Sequence, residues 1–237
     1  MKPIYKPKGR AGEYGGYAIN IYTGCNHGCT YCYAAKMAKR WGRDFLNVKP
    51  KEGLLEAAVR QLKTMEGKLI HLCFACDPYP AEVDTVITRE IIKAIKESGN
   101  NVQILTKGGE KAERDFDLLD GDDWFGVTYT GHPPGYLFTA TQEEPNAAPH
   151  AYRLASLKRA KMIGINTWVS CEPVLYPEDV LSLITLADYI DYFKIGKLNY
   201  SSSGINWAEF GRRAENECIA QNRNYTIKKD LREEMQK

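Results

Sequence analysis

Six short runs rich in β-branched and aromatic residues punctuate the chain: Tyr17–Tyr22, Leu69–Phe74, Val102–Thr106, Trp124–Tyr129, Thr167–Cys171 and Tyr189–Ile195. Between or after them, apolar residues recur at helical spacing over Ala34–Arg43, Leu54–Met65, Ile87–Glu97, Lys111–Leu119, His150–Ile163, Glu178–Ala187 and Trp207–Asn222. Gly99 and Gly164 sit where two of those helices should stop. Strands that alternate with helices predict a parallel α/β architecture. Six units are too few for an eight-fold barrel and fit an open (βα)6 partial TIM barrel, with a doubly wound sheet as the alternative. The expected organisation is a basic extension over 1–16, the barrel over 17–200 and a helical C-terminal extension over 201–237.

Active sites of parallel α/β folds gather at the C-terminal ends of the strands, and the polar residues of this chain collect there. After the first strand comes Thr23-Gly24-Cys25-Asn26-His27-Gly28-Cys29-Thr30-Tyr31-Cys32-Tyr33. The second ends in Cys76-Asp77-Pro78, where the proline stops the strand. The others end in Thr106-Lys107-Gly108, Thr128-Tyr129, Ser170-Cys171-Glu172-Pro173 and Lys194-Ile195-Gly196-Lys197. A lysine in a buried strand is costly unless partnered, so Lys194 should face a polar centre.

Composition places limits on the setting. With 43% hydrophobic and 26% charged residues in 237, the chain is a globular one of about one domain. It holds no run of eighteen apolar residues and no signal-peptide core at its start, which predicts a cytoplasmic protein with no membrane partner. Seven cysteines then suit a reducing compartment where thiols bind metal. The formal charge of +2 hides an asymmetry: residues 1–51 carry a net +8, and acids dominate 110–123. Lys2, Lys6, Lys8 and Arg10 precede the cysteine loop and Lys36, Lys39, Arg40 and Arg43 follow it, which suits an anionic partner such as nucleic acid, or equally a solvated helix face and tail.

Three thiolates within eight residues can converge on one metal centre, and a four-iron cubane held by three cysteines has one iron free of protein ligands. Zinc held by the three cysteines and His27 is the alternative; a redox disulfide is weaker because three cysteines leave one over.

The Cys-x3-Cys-x2-Cys spacing, with an aromatic residue before the third cysteine, resembles the cluster loop of the radical S-adenosylmethionine (SAM) enzymes. Asp77-Pro78-Tyr79, Leu105-Thr106-Lys107, Glu144-Pro145-Asn146-Ala147-Ala148-Pro149, Trp168 to Pro173 and Lys194 to Asn199 narrow the resemblance to the spore photoproduct lyase-like group. That resemblance implies the partial barrel, a [4Fe-4S] cluster on Cys25, Cys29 and Cys32, and SAM as cosubstrate, cleaved to a 5′-deoxyadenosyl radical that abstracts a hydrogen atom. It implies SAM contacts from Tyr31 and Tyr33, Cys76 and Asp77 near its methionine or ribose portion, Lys107 and Thr128 on its carboxylate side, and Glu172 at its ribose hydroxyls. An ion pair between Glu172 and Lys107 closing the barrel top is the other reading of those two. An electron donor such as flavodoxin or ferredoxin is implied as well.

Cys76 and Cys171 are the candidate catalytic thiols, as hydrogen donor or redox group; each is equally well read as a small buried hydrophobe. Residues three apart in a strand face opposite sides, so only one of Cys73 and Cys76 should enter the barrel unless a turn intervenes. In the lyase a cysteine donor precedes a hydroxyl-bearing position by two residues; here Phe74 and Cys76 occupy those places, which puts repair of spore photoproduct in doubt. Tyr136 and Phe138 are candidates to stack a base or cap the core, and Arg153 could be a further carboxylate partner, although such an arginine is more often a surface helix residue. Nucleic acid is the leading substrate candidate, with a peptide or small metabolite next. The reading from another class is a nonenzymatic zinc or iron–sulfur module that binds nucleic acid.

Overall fold

The computed structural model describes residues 2–237. Its strands form one sheet in chain order: β1 (Ile4–Tyr5), β2 (Tyr17–Ile19), β3 (Leu69–Leu72), β4 (Asn101–Thr106), β5 (Trp124–Thr128), β6 (Asn166–Cys171), β7 (Tyr192–Ile195) and β8 (Tyr225–Ile227). β1 is antiparallel to β2, and β2 to β8 are mutually parallel. Among the described residues β1 and β8 do not pair, so the sheet is an open partial barrel. Helices α1 (Tyr33–Arg40) and α2 (Leu54–Leu62) follow β2, and α3 (Val86–Glu97) follows β3. Then α4 (His150–Met162), α5 (Pro177–Leu186), α6 (Trp207–Ala220) and α7 (Lys229–Met235) follow β5, β6, β7 and β8 in turn. No helix among the described residues is long and apolar enough to cross a membrane.

Two elements differ from the sequence pattern. The stretch predicted as a helix over 111–119 is a 3-10 helix, Gly109–Leu118. Its acids are held from outside, Asp115 and Asp117 by Arg89, and only Ala112 and Phe116 supply buried apolar side chains, too few for an amphipathic α-helical stripe. Residues 201–237 hold a strand as well as helices: Tyr225–Ile227, three residues long and too short to show a period, extends the parallel sheet.

The strands alternate faces. Phe125, Val127, Val169, Phe193 and Ile195 are fully buried in the layer between sheet and helices, with Ile91, Leu157, Ile184 and Ala214 among the helical contributors. The inner face is polar and aromatic: Trp168, His71 and Tyr14 pack edge to face, His71 stacks on Phe74 at 4.1 Å, and Gln103 Oε1 lies 3.2 Å from His71 Nδ1. Gly126 admits the indole, since a Cβ there would lie 2.2 Å from Trp168 Nε1. Lys194 meets the polar centre expected of it, donating to the carbonyls of Glu13 and Tyr14 at 3.1 and 3.0 Å.

Candidate active site

At the C-terminal ends of the parallel strands lies a cavity of about 590 Å³, a volume typical of small-molecule sites. Its wall brings together Cys25, Cys29, Cys32, Tyr31, Tyr33, Cys76, Asp77, Lys107, Thr128 and Glu172. Cys171 does not share it. Alternation along β6 turns Ser170 to the cavity and Cys171 into the helical layer, fully buried near Cys218 and Asp179, where burial pushes its thiol up. Tyr136 and Phe138 are exposed and lie outside the cavity wall.

The cysteine loop is clamped from two sides. Cys25 N–H donates to Phe45 O at 2.9 Å, and the chains come so close that a Cβ on Gly24 would sit 2.1 Å from that oxygen. Across the loop, Thr30 N–H donates to Glu143 O at 3.0 Å, Asn146 N–H to His27 O at 3.1 Å and Asn146 Nδ2 to Asn26 O at 2.9 Å. Cys32 starts α1, its sulfur accepting from Ala35 N–H at 3.5 Å. All three thiols are free, and burial pushes the Cys29 thiol up to about 11. No three His, Cys, Asp or Glu side chains among the described residues are already drawn together as a metal site. The donor set nonetheless selects among metals. His27 lies 3.2 Å from Asn146 O through Nδ1 and 3.2 Å from Asp77 Oδ2 through Nε2, so both ring nitrogens face oxygen atoms. Three soft thiolates with no fourth protein ligand are what a cubane with one open iron requires.

Asp77 ties the strand ends to this loop. Its Oδ1 accepts from Thr106 Oγ1 at 2.6 Å and Tyr79 N–H at 2.8 Å, and Oδ2 from Lys107 N–H at 2.9 Å. Burial would raise its pKa, but His27, Thr106 and the Lys107 amide together hold it well below the usual carboxylate range.

Glu144 is the second centre, and the sequence reading passed over it as a site residue. It is fully buried, taking Arg153 at 2.5 Å and the Tyr31 hydroxyl, with Lys107 Nζ at 4.0 Å and His150 Nε2 at 3.7 Å. Burial alone would raise its pKa; Arg153 and Lys107 bring it down to about 2. Arg153 is therefore no surface residue: it is 1% exposed and also donates to Ala148 O at 2.6 Å and Thr128 O at 3.0 Å. A long loop with a buried acid, followed by an arginine early in the next helix, was the signal available for the pair. Lys107 keeps its charge despite burial because Cys29 and Glu144 outweigh the desolvation.

The third centre is Glu172, which pairs with Lys228 and not with Lys107. Its Oε2 receives Lys228 Nζ at 2.5 Å and the Tyr14 hydroxyl at 2.6 Å; Oε1 has only Asn199 Nδ2 at 3.4 Å. Lys228 follows β8 and Tyr14 precedes β2, so segments from the two ends of the parallel run β2 to β8 meet on this carboxylate. Tyr14 and Lys228 also line the cavity, and neither stood near a recognisable motif.

The Radical SAM superfamily pattern matches residues 19–190. An uncharacterized protein, ORF301 of Acidianus two-tailed virus, is 28% identical over 187 residues, covering 70% of this chain and 58% of its own. Spore photoproduct lyase complexed with dinucleoside spore photoproduct superposes with TM-score 0.63 at 15% identity, covering 90% of this chain and 63% of the lyase. Streptococcus suis SuiB bound to precursor peptide SuiA does so with TM-score 0.63 at 16% identity, covering 88% and 48%; SuiB has also been solved bound to S-adenosylmethionine. The chain spans about three fifths of the viral relative and of the lyase, and about half of SuiB. At such identities the two solved structures speak to the fold alone. With the family pattern extending over most of its barrel, this chain belongs to the Radical SAM superfamily.

Proposed function

We propose that the protein is a radical SAM enzyme whose [4Fe-4S] cluster is held by Cys25, Cys29 and Cys32 and whose substrate is a nucleic acid. The observation that carries the enzyme reading is the enclosure of three unpaired thiols in one cavity with Lys107 and Glu172 at strand ends and Tyr33 at the start of α1. When bound, the cluster supplies one electron to cleave the SAM sulfonium and release an adenosyl radical. The protein's part is placement and exclusion of water. Lys107 offers a cation to the SAM carboxylate beside Thr128, and Tyr33 and Cys76 bound the adenosyl side. Glu172 offers its underused Oε1 to ribose hydroxyls. Asp77 and Glu144 hold the loop and Lys107 in place. For the substrate, Tyr33 and Met37 on α1 and Trp41 just after it are exposed at four-residue spacing, with Arg43 over the Trp41 ring at 5.5 Å and Lys39 and Arg40 next to it in sequence. Exposed aromatics among cations suit single-stranded nucleic acid. A small flavodoxin- or ferredoxin-type protein would supply the electron.

Anaerobic reconstitution followed by dithionite and SAM tests this. The expected result is a brown protein that forms 5′-deoxyadenosine, with an EPR signal perturbed by SAM, and loses both in Cys29→Ala. A colourless, zinc-loaded protein that leaves SAM intact overturns it. Deoxyadenosine formation enhanced by a peptide but not by oligonucleotides keeps the chemistry and overturns the substrate.

A further inference from the structure

Four cysteines lie outside the cluster loop, and they differ in kind. Cys171 and Cys218 are both buried and away from the cavity. Cys73 and Cys76 both line the cavity. Both can do so because a turn intervenes, the exception allowed to strand alternation: β3 ends at Leu72 and Cys73 takes φ +67°, a left-handed conformation that reverses the strand's alternation. The resulting Cys73-Phe74-Ala75-Cys76 turn is rigidly held. Asn20 Oδ1 accepts from both Phe74 N–H and Ala75 N–H at 2.8 Å, Cys73 N–H donates to Ile19 O at 2.8 Å, and the Tyr33 hydroxyl donates to Phe74 O at 2.6 Å.

Within that turn Cys73 and Cys76 stand three residues apart on one cavity wall. Ile21 N–H approaches the Cys73 sulfur at 3.5 Å, and the Tyr22 amide and Lys51 favour negative charge on Cys76. Burial pushes the Cys73 thiol up, whereas at Cys76 the Cys73 side chain, the Tyr22 amide and Lys51 outweigh burial and bring the thiol down. Of the two, Cys76 has the surroundings that favour the thiolate, the form that enters thiol–disulfide exchange.

We propose that Cys73 and Cys76 are a redox-active dithiol in the cavity wall, exchanging with small disulfides, so that the cavity presents an S–H hydrogen source only when the pair is reduced. Its link to radical chemistry rests on the function proposed above; the exchange itself does not. In the exchange, the Cys76 thiolate attacks a disulfide such as oxidised glutathione, forming a mixed disulfide and releasing one thiolate. Cys73, on losing its proton, displaces the second thiol and closes the Cys73–Cys76 bond. The pair gives up two electrons and one proton, and the small disulfide becomes one thiol and one thiolate.

The test uses cluster-loaded protein under anaerobic conditions, equilibrated with mixtures of reduced and oxidised glutathione, then denatured, alkylated and analysed by mass spectrometry. The tryptic fragment from Leu69 to Arg89 carries both thiols. It should pass from doubly alkylated to unalkylated as the oxidised fraction rises, with Cys171 and Cys218 alkylated throughout. Cys73→Ser should instead accumulate a stable glutathione adduct on Cys76, and Cys76→Ser should leave Cys73 unmodified. Full alkylation of Cys73 and Cys76 at every ratio overturns the proposal. A protein that shows the exchange but never cleaves SAM overturns the enzyme reading and leaves the dithiol standing.

Discussion

Glu144 and Glu172 are the two carboxylates that organise opposite sides of the cavity, and they are built on different terms. Glu144 is sealed: its exposure is nil, Arg153 and Tyr31 engage it directly, and Lys107 stands behind them. Glu172 keeps 16% of its side chain open and concentrates its partners on one oxygen. A sealed, charge-matched acid fixes positions; a half-committed acid can take a ligand. The sequence motifs gave both acids similar prominence, and only burial separates their work.

Removing one partner from the sealed centre is the sharpest way to break the comparison. Glu144→Ala leaves Arg153 charged and buried with no anion, and such a loss costs about 3–5 kcal/mol. Urea unfolding should show a drop of that order, with Arg153→Ala close behind. A fall under 1 kcal/mol in both would mean that the centre opens to water and is not the anchor described.

Acid should expose the same anchor. Burial holds His71 and His150 neutral, each with a pKa of about 3, against about 6.5 in an unfolded chain. As pH falls below 6.5 the unfolded chain takes up protons that the fold refuses, so each histidine removes about 1.4 kcal/mol per pH unit until pH nears 3. Glu144, at about 2 in the fold, contributes fully above about 4.3 and is lost only as pH falls from there towards 2. Stability measured from pH 7 to 5 should therefore slope downward before Glu144 titrates in either state, and His150→Gln should flatten that slope. An unchanged slope assigns it elsewhere.

The open centre should respond in ligand binding more than in stability. Glu172→Gln keeps the shape and the Tyr14 contact, and Lys228 retains the Tyr14 ring at 4.1 Å as a cation–π partner. The expected cost is about 1–2 kcal/mol of stability with weaker SAM binding by roughly tenfold, the scale of one charged hydrogen bond. SAM affinity by calorimetry on the cluster-loaded protein checks it; unchanged affinity with a large loss of stability would make Glu172 a second anchor.

Much of this was legible before coordinates. Hydrophobic period located the six strands that follow one another in the barrel, and the three cysteines announced themselves by spacing. Short-range pattern could not reveal Tyr14 and Lys228, because each matters through a partner 158 or 56 residues away. Nor could it show that Cys73 leaves the strand with φ +67°, since a backbone conformation costing about 1–3 kcal/mol is held only by surrounding contacts. The three-residue strand β8 was invisible for the opposite reason: it carries too few residues to express a period.

The smallest expected effect concerns Cys171, which sequence paired with Cys76 as a candidate thiol. In the structure it fills space between the barrel and its helices, with no hydrogen-bond partner to lose. Cys171→Ala removes one sulfur atom from a packed layer, so the cost should be about 1 kcal/mol, close to that of one buried methylene. Deoxyadenosine formation should be unaffected, because the altered side chain and the cavity lie on opposite faces of β6. Loss of activity with the fold and cluster intact would show that the thiol reaches the chemistry by a route the alternation of β6 does not allow, and would return Cys171 to the catalytic side of the comparison.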